Sequence, residues 1–237
     1  MAAVERPPRW QAEGIFRLDP ALPVPAPALP ALPVVETFHS LQGEGVHAGR
    51  SAFFIRLAGC DVGCPWCDTK HSWPEAAHPR RPLGDLVAEA TAAAAAGAAF
   101  VVITGGEPLQ QPLDALCAAL APVGLPLHLE TSGVGPFSGC FDWITLSPKR
   151  HRPPVEVLLR HCHELKVVVH EPADLGFADA MARAASLIRR GSGSEAPVLL
   201  LQPGWQSAEG QSLAIDYVQS HPAWRLGLQL HKGLGVR

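Results

Sequence analysis

The chain has 237 residues, 47% of them hydrophobic, which suits one domain with a sizeable core. A formal net charge of −3, with lysines and arginines clustered no further than in pairs, argues against a nucleic-acid partner. No apolar run approaches the ~20 residues that cross a bilayer, and the N-terminus lacks a secretory layout, so a cytoplasmic protein with no membrane partner is expected.

Residues 1–33 stand apart as a proline-rich N-terminal extension holding 8 of the 24 prolines. Proline blocks helices and sheet ladders alike, so this segment is expected to be an extended arm outside a folded domain of residues 34–237. Beyond Val34, strand-like and helix-like runs alternate. Ser51–Leu57 reads as a strand and Leu83–Ala96 as an alanine-rich helix ending at Gly97. Phe100–Thr104 is a short β-branched run, hence a buried strand. Pro112–Leu120 reads as a helix, with proline suited to its first turn. Leu125–Glu130, Trp143–Leu146 and Glu164–Val169 read as strands, and Ala173–Arg190 as a helix. A Gly191–Ser194 loop, a Val198–Leu201 strand, an Ala208–Ser220 helix and a Trp224–Leu230 strand follow. Such alternation implies right-handed parallel βαβ units. About six units are too few for a closed eight-fold barrel. The expected fold is therefore α/β, a partial (open) βα barrel of about six parallel strands with its functional groups at strand C-terminal ends.

Cys60, Cys64 and Cys67 form a C-x3-C-x2-C run just after the first of these strands, while Cys117, Cys140 and Cys162 are scattered. That distribution does not suggest a disulfide framework and points to a reducing compartment. Three thiolates on one loop can hold three irons of a four-iron cube and leave the fourth open to a small molecule; ordinary carriers use four protein ligands. Extended to His71, the same loop also offers a Cys3His zinc set. On the loop alone a non-enzymatic zinc-binding module stays open. About forty residues on, Thr104-Gly105-Gly106-Glu107-Pro108 follows a strand. Two glycines there would let backbone carbonyls approach a ligand closely.

With Trp66 ahead of the third cysteine, these two segments resemble the radical SAM superfamily. The resemblance implies a [4Fe-4S] cluster whose open iron binds S-adenosylmethionine (SAM). Further segments, in order and spacing, resemble one branch, the 7-carboxy-7-deazaguanine synthases: Leu41-Gln-Gly-Glu-Gly45, Arg56, Cys67-Asp68-Thr69, Leu129–Gly133, Ser147-Pro148-Lys149, Glu164–Val168, Leu201-Gln202-Pro203 and His231-Lys232. That branch implies a lyase of queuosine and other 7-deazapurine biosynthesis. Its reaction converts 6-carboxy-5,6,7,8-tetrahydropterin to 7-carboxy-7-deazaguanine with loss of ammonia, by a 5′-deoxyadenosyl radical that takes and later returns a hydrogen at C6.

Carried over by position, the resemblance gives Cys60, Cys64 and Cys67 to the cluster and puts Glu130 near the reacting centre. It implies SAM contacts at Trp66, Cys67, Asp68, Gly106, Ser147, Pro148, Lys149, Gln202, Pro203, Gly204 and Trp205. It implies substrate contacts at Leu41, Gln42, Gly43, Glu44, Arg56, Thr104, His231 and Arg237, and Mg2+ on Thr69. A homodimer and an electron donor such as flavodoxin or ferredoxin are implied as well. Read as residues alone, Gly43-Glu44-Gly45 is turn-prone. A surface ion pair at Arg56 is discounted because its strand is apolar. A glycyl-radical-enzyme activase would share the cysteine loop and the glycine pair; Leu41–Gly45 and His231-Lys232 weigh against it.

Overall fold

A computed structural model describes residues 30–190 and 195–236. Its strands are β1 (Ala31–Leu41), β2 (Ser51–Leu57), β3 (Arg80–Pro82), β4 (Val101–Gly105), β5 (Leu127–Thr131), β6 (Trp143–Leu146), β7 (Glu164–Val169), β8 (Val198–Pro203) and β9 (Trp224–Leu226). They form one sheet in the order β3-β1-β2-β4-β5-β6-β7-β8-β9. Every pairing from β2 through β9 is parallel, which makes seven parallel strands where about six were expected. β1 and β3 extend one end of the sheet with antiparallel pairings. β3 and β9 lie at opposite ends of the sheet and, among the described residues, their outer edges pair with no strand, so the βα barrel is open, as the sequence pattern implies.

Helices α1 (Leu83–Ala95), α2 (Asp114–Leu120), α3 (Glu156–His161), α4 (Pro172–Arg189), α5 (Ala208–Ser220) and α6 (Leu230–Leu234) fill the connections. Strand alternation sorts the side chains into two layers. Phe53, Ile55 and Leu57 of β2, Val101 and Ile103 of β4, and Leu165, Val167 and Val169 of β7 join the main core with Leu86, Leu116, Leu158 and Ala178 from the helices. The opposite faces turn inward. Low in the barrel, Ala52, Phe54, Phe100 and Val102 make a second apolar cluster. Higher up, the inward positions become polar. Helix ends follow local chemistry: Glu171 and Asp174 form a capping box at α4 with Pro172 in its first turn, and Ser207 caps α5 by accepting from Gly210.

The differences from expectation have physical reasons. β1 begins at Ala31, inside the stretch assigned to the proline-rich extension, and Leu32 is buried. Pro33 tolerates the ladder because it is used as an acceptor, from the Ala58 N–H at 2.9 Å, where no proline N–H is needed. Residues 1–29 of that extension, the Gly191–Ser194 loop and Arg237 lie outside the described residues. The last strand stops at Leu226 instead of Leu230. The chain then leaves the sheet to dock on the β1–β2 loop, the Leu230 N–H bonding the Gly43 carbonyl at 2.9 Å, before turning into α6. Among the described residues no helix is long and apolar enough to cross a membrane.

Candidate active site

A cavity of about 430 Å³ lies inside the open barrel, lined from β2, β4, β5, β6, β7 and β8, the β1–β2 loop, the cysteine loop and the C-terminal segment. That volume is typical of a small-ligand site. Its polar floor comes from strand positions two apart. On β7, Lys166, Val168 and then His170 face inward, and on β5 Glu130 and then Ser132 do so. The β1–β2 loop reaches into the same space. Gln42 donates to Glu130 at 2.9 Å, and Thr104 donates to the other Glu130 oxygen at 3.1 Å. Glu44 forms an ion pair with Lys166 and accepts from Gln229 at 2.7 Å.

Burial alone would raise the Glu44 pKa. The Lys166 charge, with hydrogen bonds from Lys166, Gln229 and Gln202, holds it down to about 2. Burial likewise opposes the Lys166 charge, but Glu44, Glu130 and Glu164 raise its pKa above the ordinary lysine value. Glu164 goes the other way: burial raises it, and its bond from the Val46 N–H only partly offsets this. The buried Oε1 atoms of Glu164 and Gln202 have no hydrogen-bond partner in the protein. At Gln202 that oxygen belongs to a side chain lining the cavity, an acceptor available to a ligand.

The rim is formed at strand C-terminal ends. Cys60, Cys64 and Cys67 are free thiols that line the cavity together. Burial raises the Cys60 pKa, with Glu107 and the other two cysteines adding to it; burial and Cys67 raise that of Cys64, against Lys149. Such thiols ionise when a metal takes the charge. Among the described residues, no three His, Cys, Asp or Glu side chains converge enough to hold a single ion. Three thiols on one short loop, all lining the cavity, can hold three irons of a four-iron cube. His71, the fourth member of the zinc set, is exposed.

Gly106 sits on the cysteine loop: a Cβ there would stand 2.3 Å from the Gly59 carbonyl oxygen and 2.9 Å from Cys60 Cβ. The close approach that demands glycine is thus to the loop's own backbone, although Gly106 also lines the cavity. Glu107 is buried and knits β4 to β5 by accepting from Thr131, from both N–H and O–H of Ser132, and from the Leu109 N–H. Trp66 is 41% exposed and Trp205 50% exposed at the mouth. Asp68 pairs with Lys232 at 2.5 Å, and Lys232 lies over the Trp205 ring. Lys149 donates to Ser147 at 2.8 Å. Thr69 Oγ1 lies 3.5 Å from Cys67 Sγ.

The cavity gathers nearly every residue singled out from the sequence: Leu41 to Glu44, Arg56, the three cysteines, Trp66, Asp68, Thr69, Thr104, Gly106, Glu130, Ser147, Lys149, Gln202 to Trp205 and His231. Pro148 is buried beside it without lining it, and Arg237 is outside the described residues. The segment Gln42–Glu44 is not an exposed turn but a partly buried plug. One expectation needs correction. Arg56 does form an ion pair, with Glu36 at 3.0 Å, because β1 lies beside β2 and puts Glu36 opposite it. His231 packs its ring where a Gly43 Cβ would stand.

The sequence assigns no role to Lys166, Glu164, His170, Glu107 or Gln229, although the first two and Glu107 stand in segments that carry the resemblance. A signal existed for two of them. Glu164 and Lys166 are charges two apart in an otherwise apolar strand, which puts both on one inward face. His170 follows on the same face; Gly204 has no room for a Cβ because the His170 ring stands 2.0 Å away.

Comparison with known proteins agrees with this geometry. Residues 54–145 match the model of the radical SAM superfamily. The chain is 53% identical to the 7-carboxy-7-deazaguanine synthase of Prochlorococcus marinus, over 86% of this chain and 98% of that one. It is 48% identical to the enzyme of that name from Synechocystis sp., over 86% and 93%. The crystal structure of QueE from Escherichia coli superposes with a TM-score of 0.71 at 31% identity, covering 85% of this chain and 95% of that one. Agreement of this extent, with the cysteine loop and the polar floor in one cavity, shows that the chain belongs to the 7-carboxy-7-deazaguanine synthase family of radical SAM enzymes.

Proposed function

We infer that the protein is a radical SAM lyase that converts 6-carboxy-5,6,7,8-tetrahydropterin to 7-carboxy-7-deazaguanine with loss of ammonia, within queuosine and 7-deazapurine biosynthesis. One observation carries this reading. The three thiols of Cys60, Cys64 and Cys67 and the Gln42–Glu130–Thr104 network open into the same cavity. When bound, a [4Fe-4S] cluster with one open corner supplies the electron that cleaves SAM to a 5′-deoxyadenosyl radical.

The chain's own residues orient the two small molecules and keep water out. A pterin presents its amino group and a ring N–H side by side, and carboxylates accept from such a pair. Glu130 and Glu44, which Lys166 keeps ionised near neutral pH, supply acceptors at the floor, while Gln42 fixes Glu130. Arg56 spends Nε on Glu36, and its guanidinium has four further N–H groups for the substrate carboxylate. His231, held against Gly43, and Thr104 close the substrate side. Trp66, Asp68, Gly106, Ser147, Lys149 and the Gln202–Trp205 turn cradle SAM between the thiols and the floor.

Thr69 faces the cavity beside Cys67 and suits a magnesium ion that takes one protein oxygen and fills its other positions with substrate and water. A homodimer in a reducing cytoplasm, served by flavodoxin or ferredoxin, completes the proposal.

The test is an anaerobic assay of reconstituted protein with SAM, reductant and carboxytetrahydropterin. Appearance of the deazapurine chromophore is expected; 5′-deoxyadenosine without deazapurine would overturn the substrate. Arg56→Ala should nearly abolish turnover while leaving SAM binding intact, and unchanged turnover would refute its role.

A further inference from the structure

The cysteine loop has little regular structure of its own, and two consecutive residues from the loop after β6 hold it from the solvent side. The Lys149–Arg152 turn is closed by a backbone bond of 3.0 Å and an antiparallel bridge. From it, Arg152 donates to the Asp61 carbonyl at 2.7 Å and to Asp61 Oδ2 at 2.9 Å. His151 places Nε2 at 3.0 Å from the Val62 carbonyl oxygen and 3.9 Å from Cys64 Sγ. Its ring stands edge-on to Trp66, 5.7 Å between centroids. A carbonyl can only accept, so Nε2 must carry the hydrogen. The same nitrogen thus has both the Val62 oxygen and the Cys64 sulfur within hydrogen-bond reach.

We propose that His151 is a positioning residue of the iron–sulfur site: it fixes the Val62–Cys64 backbone and directs an N–H at the Cys64 thiolate, thereby raising the cluster's reduction potential. The proposal rests on the reading that this loop carries a cluster. Hydrogen bonds to cluster sulfurs stabilise the more negative, reduced form. Residues that orient a metal ligand from behind typically carry 10–100-fold in metal affinity or activity. Nothing in the cysteine spacing signals this residue, because it comes from a loop some ninety positions away.

The experiment compares full-length wild type, His151→Leu and His151→Gln after anaerobic reconstitution. Midpoint potential is read by an EPR-monitored dye titration, and iron loss by transfer to a chelator. His151 is exposed, so the melting temperature of the iron-free proteins should not change. The leucine variant is expected to have a more negative potential and to lose iron about tenfold faster. The glutamine variant, whose amide can reach Val62, should return toward wild type on both counts. Wild-type potential and iron retention in the leucine variant would overturn the proposal, as would a glutamine variant no better than leucine, which would reduce His151 to packing on Trp66. Should leucine unfold the protein, His151→Ala takes its place under the same criteria. A wild type that binds no iron would sink the functional reading itself, a result distinct from any difference among variants.

Discussion

At the floor of the cavity Glu44, Glu130, Lys166 and Gln42 are tied to one another, and Lys166 is only 5% exposed. At the rim the three cysteines carry no disulfide, and Trp66 and Trp205 stand at the mouth. The floor is preorganised by the protein alone. The rim carries the three free thiols that a bound cluster would occupy. The contrast matches a division of labour in which the chain supplies orientation and a bound cofactor supplies reactivity. It also says where substitutions should hurt folding and where they should hurt loading.

The largest effect is expected at Lys166. Lys166→Met leaves Glu44 buried without its cation and should cost about 3–5 kcal/mol in urea unfolding. Adding Glu44→Gln should recover much of it. A loss below about 1 kcal/mol would show that the floor is not held by this pair.

Acid should strike the floor and the layer beneath it in separate windows. His128, stacked on Phe100 below the floor, is pushed down to about 4 by burial, with His47 and Arg50 adding to it. Its unfolded form therefore binds a proton first, and stability should fall as pH drops from about 6.5 to 4. Glu44 is depressed as well, so its contribution is complete above about 4.5 and is lost as pH falls toward 2. Each window is worth on the order of 3 kcal/mol at 1.36 kcal/mol per pH unit. Denaturant titrations across pH test both; Glu44→Gln should flatten the lower window only.

At the junction of floor and rim, Gly106→Ala forces a methyl against Gly59 and Cys60. It should cost about 1–3 kcal/mol by overpacking and lower iron content after reconstitution. Normal iron content would show that the glycine contact does not set the loop. The smallest effect belongs to the exposed rim. Asp68→Asn removes the pair with Lys232 and should change stability by less than about 1 kcal/mol while weakening SAM binding, measured by equilibrium dialysis.

The cysteine loop, the Thr104–Pro108 segment and the Ser147–Lys149 turn were legible because each is a local run at a strand end. The parallel strands were legible from short β-branched stretches between helical ones. β1 was hidden by Pro30 and Pro33, whose usual meaning is a broken ladder. With β1 hidden, the Glu36–Arg56 pair could not be foreseen, since it exists only in that register. Lys166 escaped for another reason. Its partner Glu44 lies 122 positions away, and only the barrel brings them together. The glycine pair has a second reason that the sequence did not show, since packing on Leu57, Gly59 and Cys60 also requires it.

The central claim is that Cys60, Cys64 and Cys67 hold a four-iron cluster with one corner left for SAM. EPR of the anaerobically reconstituted, reduced protein tests it directly. The account predicts a reduced [4Fe-4S] signal that changes when SAM is added. A colourless protein whose X-ray absorption shows tetrahedral zinc saturated by four side chains would contradict it.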